Sequence, residues 1–229
     1  MNHENIDYLE NIELFYDNPE PRCPVVLLLD TSASMSGERI NQLNTGIATF
    51  KNEVEQDTTA SLRVEVAIIT FNNSVQEVQP FVTIQNLNPP QLTTSGVTAM
   101  GEAIELALDK VQSRRAIYAE YGISSYKPWV FLITDGLPTD EWQSAAQRVR
   151  QLIEAKKLTF FAVGVQGANM NILSKIAPAK RLDGLKFQEL FRWLSDSMKR
   201  VSNSKPGMEP EQVSLPPTDG WDTSGWDYA

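Results

Sequence analysis

The sequence predicts an α/β fold, a central and mostly parallel sheet covered by helices on both faces. Three observations predict it. Short apolar runs recur between turn residues, as expected of strands buried on both faces. Longer segments between them carry apolar residues every three or four positions, the spacing of amphipathic helices. The two kinds of segment alternate through a chain of 229 residues, a length that suits one sizeable domain.

The first strand is Val25-Val26-Leu27-Leu28-Leu29, opened by Pro24 and ended by Asp30. A loop of small hydroxyl residues, 31–37, leads to a helix on Ile40, Leu43, Ile47, Phe50 and Val54. Residues 62–71 (LRVEVAIITF) form the next strand. Residues 75–84 are its hairpin partner across Asn72-Asn73, and Pro80, which has no N–H to donate, makes that partner an edge strand. A turn-rich connection over 86–97 precedes a helix on Ile104, Ala107, Leu108 and Val111. Trp129 to Thr134 (WVFLIT) is a second buried strand, also ending at an acid, Asp135. A helix on Trp142, Ala145, Ala146, Val149 and Ile153 follows, then a third buried strand at 158–165. A short helix at 172–176, a short strand at 180–182 and a long helix at 186–201 complete the domain. The chain thus divides into an acidic arm (1–21), one domain (22–201) and a flexible, acidic, tryptophan-containing tail (202–229).

Composition excludes several functions. The chain carries 20 Lys and Arg against 29 Asp and Glu, a net charge of −9. Residues 1–20 hold six acids and no Lys or Arg, and 202–229 hold five acids and one Lys. The middle is close to neutral, so no nucleic-acid partner is expected. One cysteine, Cys23, excludes an internal disulfide and a cysteine-built zinc cluster. The one histidine, His3, lies in the arm, far in sequence from any nucleophile it would serve. The N-terminus lacks the basic and apolar regions of a signal peptide, and no run approaches a membrane span, so a soluble cytoplasmic protein is expected.

The residues that carry chemistry sit in loops after buried strands or before a helix. They are Asp30, Ser32 and Ser34 after the first strand, Thr98 in Ser95-Gly96-Val97-Thr98, and Asp135 in Asp135-Gly136. In an open α/β sheet, ligands bind at the carboxyl ends of strands where strand order reverses. If the first and the WVFLIT strands are neighbours, Asp30 and Asp135 meet there. Alternate residues of a short loop point the same way, so Asp30, Ser32 and Ser34 can converge. Carboxylates and hydroxyls without imidazole or thiolate are a hard-oxygen set suited to Mg²⁺, with Mn²⁺ or Ca²⁺ as alternatives. Neutral hydroxyl ligands leave such an ion under-neutralised and ready for an added carboxylate.

Asp30-x-Ser32-x-Ser34, Thr98 and Asp135-Gly136 together resemble the metal-ion-dependent adhesion site (MIDAS) of von Willebrand factor A (vWA) domains. The resemblance spans about residues 22–201 and implies a Rossmann-like three-layer sandwich with one antiparallel edge strand. It also implies that Ser32 and Ser34 ligate the metal directly, and Thr98 in the ligand-ready state. Asp30 and Asp135 then act largely through coordinated water, and a Glu or Asp of a protein partner completes the shell. The lead-in Asn18-Pro19-Glu20-Pro21-Arg22-Cys23-Pro24 and the stretch Ser95 to Ala103 look like those of small cytosolic bacterial A-domain proteins, the TerY/YegL type of tellurium-resistance and stress operons. Such proteins are often encoded beside a Ser/Thr kinase and a PP2C-type phosphatase, which become expected partners.

The resulting expectation is a non-catalytic, metal-dependent interaction module. The alternative is a haloacid-dehalogenase-like Mg²⁺ phosphatase or phosphotransferase with Asp30 as nucleophile. That chemistry needs a second acid two residues on, where this chain has Ser32. Cys23, Trp129, Trp142, Phe187, Phe191 and Trp193 are expected to pack in the core or on helix faces. In the tail, Gly-Trp-Asp occurs twice, at 220–222 and 225–227, as a docking motif or an inert stretch. Thr218, Thr223 and Ser224 are candidate phosphoacceptors there.

Overall fold

The first apolar run becomes strand β1, Cys23–Asp30, at the centre of the computed structural model of the protein, which describes residues 15–207 and 213–218. Outside the described residues lie the arm up to 14 with His3, and the end of the tail with Trp221, Thr223, Ser224, Trp226 and Tyr228. The other strands are β2 (Val64–Phe71), β3 (Val75–Thr83), β4 (Trp129–Thr134), β5 (Thr159–Gly164) and β6 (Ala179–Arg181). They form a six-stranded sheet in the order β3-β2-β1-β4-β5-β6. All neighbours are parallel except β2 and β3.

Successive residues of β1 enter opposite cores, which is why the strand is apolar throughout. Val25, Leu27 and Leu29 pack with Leu43, Ile47 and Phe50 of helix α1 (Glu38–Glu55). The same core takes Leu190, Phe191, Leu194 and Met198 of the C-terminal helix, Phe187–Ser202, together with Trp129 and Trp193. Val26 and Leu28 face helix α3 (Met100–Glu120) and helix α4 (Gln143–Glu154), through Ala103, Ile104, Ala107, Ala145 and Val149. Helix α5 (Met170–Ile176) adds Leu173 and Ile176 to that side. The fold is therefore the expected three-layer α/β sandwich with one antiparallel edge strand. In the edge strand β3 the register shifts near Pro80, where the missing N–H interrupts the ladder.

Local differences from the sequence reading have local causes. The strand expected from 62 begins at Val64, because Ala60–Arg63 is a short helix, α2. Asp57 Oδ1 starts it by accepting the N–H groups of Thr59 (3.0 Å) and Ala60 (2.8 Å). Helix α3 runs past its apolar stripe to Glu120 because Arg114 and Tyr118 are buried against Glu65 of β2.

The stretch from 202, expected as a flexible tail, also differs. Ser202 closes the last helix, here α6, and residues 213–218 lie back against it. Trp193 Nε1 donates to Pro216 O at 2.7 Å, Arg200 Nη1 donates to Ser214 O at 2.9 Å, and Leu215 enters the core. Polar composition hid one apolar side chain and two backbone acceptors that match donors on α6. Thr218 is buried, which removes it as an accessible phosphoacceptor.

Candidate metal centre

Strands β1 and β4 are direct neighbours, with Leu29 opposite Ile133, and the chain leaves β1 for β2 on one side of this pair and β4 for β5 on the other. The crevice beyond their carboxyl ends is the place where strand order reverses. Asp30 closes β1 there, and Asp135 follows β4 by one residue.

Asp30 is fully buried and both its oxygens are engaged. Oδ1 accepts the Ser32 N–H at 2.8 Å, and Oδ2 accepts the Thr134 hydroxyl at 2.5 Å. Burial pushes the Asp30 carboxyl above its ordinary value; the hydrogen bonds from Ser32 and Thr134 pull the other way, and the Asp135 charge adds to the rise. Ser32 stands at the start of a single 3-10 turn, Ala33–Met35, yet its side chain caps no N–H. Instead Ser32 Oγ lies 3.0 Å from Ser34 Oγ, and the Ser34 hydroxyl donates to Asp135 Oδ1 at 2.6 Å. Met35, fully buried, anchors the turn in the core.

Thr98 comes from the long connection before α3. That connection is tied to the first loop by Ser95 N–H to Thr31 O (2.9 Å) and Ala33 N–H to Gly96 O (3.1 Å). Asn73 Oδ1 accepts the Val97 N–H at 2.7 Å and fits only because Gly96, with φ +69°, has no Cβ. The third loop is held by Thr139, whose N–H and hydroxyl donate to Thr98 O at 2.9 and 3.1 Å. Asp140 then caps α3, accepting the N–H groups of Gly101 (3.0 Å) and Glu102 (2.9 Å).

Gly136 shows how close the three loops come. A Cβ there would sit 2.9 Å from Thr98 Oγ1 and 3.4 Å from Asp30 Oδ2. The structure therefore brings Asp30, Ser32, Ser34, Thr98 and Asp135 into one crevice. Thr134, Thr139, Asp140 and Arg39 escaped the sequence reading. Thr134 is the final residue of an apolar strand, and Arg39 lies in the first turn of a surface helix, so neither belongs to a spaced pattern. Asp140 did carry a signal, as an acid in a turn-forming Pro138-Thr139-Asp140 run.

The residues fit a hard divalent cation. Every donor is oxygen; among the described residues no three His, Cys, Asp or Glu side chains gather into a metal cluster, so the candidate centre consists of two carboxylates and three hydroxyls. The crevice is kept open at Gly136, where a methyl group would fill it. Cys23, fully buried with its thiol pushed up to about 12 by burial, takes no part.

Fold and crevice define a Rossmann-like α/β domain with an oxygen-lined crevice at its switch point. Residues 25–194 match the family model of the von Willebrand factor type A domain, and the chain belongs to that family. Among solved structures it is similar to the ArnB paralog VWA2 from Sulfolobus acidocaldarius (TM-score 0.54, 17% identity, 77% of this chain and 45% of that chain). It is similar as well to BatB from Bacteroides thetaiotaomicron (TM-score 0.53, 18% identity, 80% of this chain and 100% of that chain). A third is proximal thread matrix protein 1 from the mussel byssus, with a zinc-occupied MIDAS motif (TM-score 0.54, 19% identity, 77% of this chain and 48% of that chain). The chain spans less than half of VWA2 and of the byssus protein, and at these identities the likeness is one of fold. No curated protein matches it in sequence.

Proposed function

We propose that this chain is a non-catalytic, metal-dependent protein-interaction module whose crevice binds an acidic residue of a partner through a divalent cation. The observation that carries the reading is the continuous chain Ser32 Oγ, Ser34 Oγ, Asp135 Oδ1 beside buried Asp30. Hydroxyls that donate to carboxylates keep lone pairs for a cation, and an ion held directly by neutral hydroxyls keeps room for an added carboxylate. Ser32, Ser34 and Thr98 would hold the ion directly; Asp30 and Asp135 would act from behind through water. The zinc-occupied MIDAS motif of the byssus protein supports the chemistry. Mg²⁺ is the expected ion, with Mn²⁺ or Ca²⁺ as alternatives.

Absence of catalysis is part of the proposal. Both oxygens of Asp30 are occupied by donors, a poor arrangement for a nucleophile, and the position of a general acid is Ser32. Turnover of an aryl phosphate with Mg²⁺ that is lost in Asp30→Asn would establish the phosphatase alternative instead. The rim suits a protein partner, since Val97 and Leu137, from two of the three site loops, are 51% and 55% exposed. Among the described residues no helix is long and apolar enough to cross a membrane. A cytoplasmic protein of a bacterial tellurite or stress response, working with a Ser/Thr kinase and a PP2C-type phosphatase, is the finer reading. It rests on the likeness of the lead-in and of the loop around Thr98.

The deciding experiment is a pair of thermal melts, in Mg²⁺ and in EDTA. At a metal concentration one hundred times Kd, binding to the native state alone adds about 2.7 kcal/mol. Ser32→Ala combined with Ser34→Ala erases the difference, with the EDTA melt itself lowered by loss of the Ser34 hydroxyl that donates to buried Asp135. Equal metal dependence in wild type and double variant would place the ion elsewhere. Pull-down from native lysate with and without EDTA then identifies the partner.

A further inference from the structure

We infer that Arg39 is a built-in counter-cation of the metal centre, one that competes with the divalent ion for Asp135 and holds metal affinity low. The inference rests on the proposed metal site and adds a residue that sets its affinity. Arg39 lies in the first turn of α1, immediately after the loop that carries Ser32 and Ser34. Its Nη1 donates to Ser34 O at 2.8 Å and also to Asp135 Oδ2. Asp135 Oδ1 already takes the Ser34 hydroxyl, so this buried carboxylate has both oxygens engaged, one by a full positive charge. The Asp135 side chain is 0% exposed, and that of Arg39 is 28% exposed.

Two physical points make the contact informative. A cation in the first turn of a helix meets the positive end of the helix dipole, so the position is unfavourable unless something opposite offsets it. Asp135 is that offset. Glu38, the acid beside Arg39, is turned to Gln42, whose Nε2 donates to Glu38 Oε1 at 2.7 Å. Second, a divalent ion among Ser32, Ser34 and Asp135 would lie one hydrogen bond from the guanidinium. Like charges at such range in a partly buried crevice repel strongly. The ion must displace Arg39 from Asp135 or bind against its field, and either lowers affinity. A carboxylate brought by a partner reverses that balance, because it adds negative charge beside both cations.

The test measures Mn²⁺ binding by isothermal titration calorimetry, with melts in EDTA and in Mn²⁺, on the full chain. The chains compared are wild type, Arg39→Gln, Arg39→Met, Arg39→Lys and the Ser32→Ala, Ser34→Ala double variant. Arg39→Gln and Arg39→Met are expected to bind Mn²⁺ about tenfold tighter or more, a gain of about 1.4 kcal/mol. Arg39→Lys, which keeps the charge, stays near wild type. In EDTA the two neutral variants melt lower than wild type, since Asp135 has lost its counter-charge, and Mn²⁺ raises their melting temperature by more. If Arg39→Gln and Arg39→Met bind no tighter than wild type while the double variant loses binding, the site stands and the role of Arg39 falls. If the double variant binds Mn²⁺ as well as wild type, or no chain binds it, the site reading falls and this inference with it.

Discussion

Asp30 carries an energetic conflict that a cation would resolve. Its folded carboxyl is raised above the unfolded value, chiefly by burial, so the native state holds that proton more tightly than the unfolded chain. The stabilising contribution is complete below the unfolded carboxyl value, near 4, and is lost as pH rises through the folded one. In EDTA, Asp30→Asn is therefore expected to melt above wild type at pH 7 and to lose part of the decline between acid and neutral pH. In Mg²⁺ it gains nothing. A melt series across pH with and without chelator checks both statements. Gly136→Ala is the steric counterpart. Its Cβ would meet Thr98 Oγ1 at 2.9 Å, so the variant folds but loses most of the Mg²⁺ response. Cys23, with its thiol at about 12, should resist iodoacetamide at pH 8 in the native protein and react when the chain is unfolded. The site oxygens were legible because they fall at loop positions next to buried strands. Arg39 was not, because a single arginine on a helix reads as a solvated charge until its neighbour across the chain is known.

Among the elements, the joint of β2 with α3 depends on a buried charge cluster. Glu65 Oε1 accepts from Arg22 Nε at 2.9 Å and from Arg114 Nη2 at 3.0 Å. Glu65 Oε2 accepts from Arg114 Nε at 2.8 Å and from the Tyr118 hydroxyl at 2.5 Å. Burial pushes Arg22 below the usual arginine range, against the pull of Glu65. Phe15 closes the cluster, with the Arg22 and Arg114 guanidinium carbons 5.3 and 5.4 Å from its ring centre. Glu65→Gln leaves two buried arginines facing a neutral amide, and removing one partner of such a set costs about 3–5 kcal/mol. A urea titration would show this as a lowered midpoint with the slope unchanged, and the Mg²⁺ increment should survive, because the cluster lies at the opposite end of β2 from the crevice. The strands and amphipathic helices were legible from periodicity alone. The extension of α3 to Glu120 was not, since Arg114 and Tyr118 look like surface residues until Glu65 is placed beside them.

For the molecule as a whole, the return of residues 213–218 onto α6 ties the C-terminal stretch into the core behind β1. Leu215 is 4% exposed and Trp193 Nε1 donates to Pro216 O. Leu215→Ala is expected to cost about 2–3 kcal/mol, at the low end for a buried leucine because the segment sits at the surface of the core. Trp193→Phe keeps the ring in its aromatic group with Phe131 and Phe161 but drops the donor to Pro216. It is expected to cost about 1–2 kcal/mol. Calorimetric melts in EDTA measure both. With the site beyond the carboxyl ends of β1 and β4 and not within this core, neither should change the Mg²⁺ increment.

The sequence by itself determined the α/β class, the order and type of most elements, and the five oxygen-bearing side chains of the crevice. These follow from local rules: the two-residue and 3.6-residue periods of burial, and the position of acids and hydroxyls at strand ends. Tertiary structure alone decided that β1 and β4 are neighbours, so that Asp30 and Asp135 share one crevice. It also decided that Arg39 pairs with Asp135, that Glu65 gathers two arginines and that Leu215 turns inward. Each of those contacts joins residues far apart in the chain, and whether a charge or a leucine lies in water or in a core depends on what the rest of the fold packs against it.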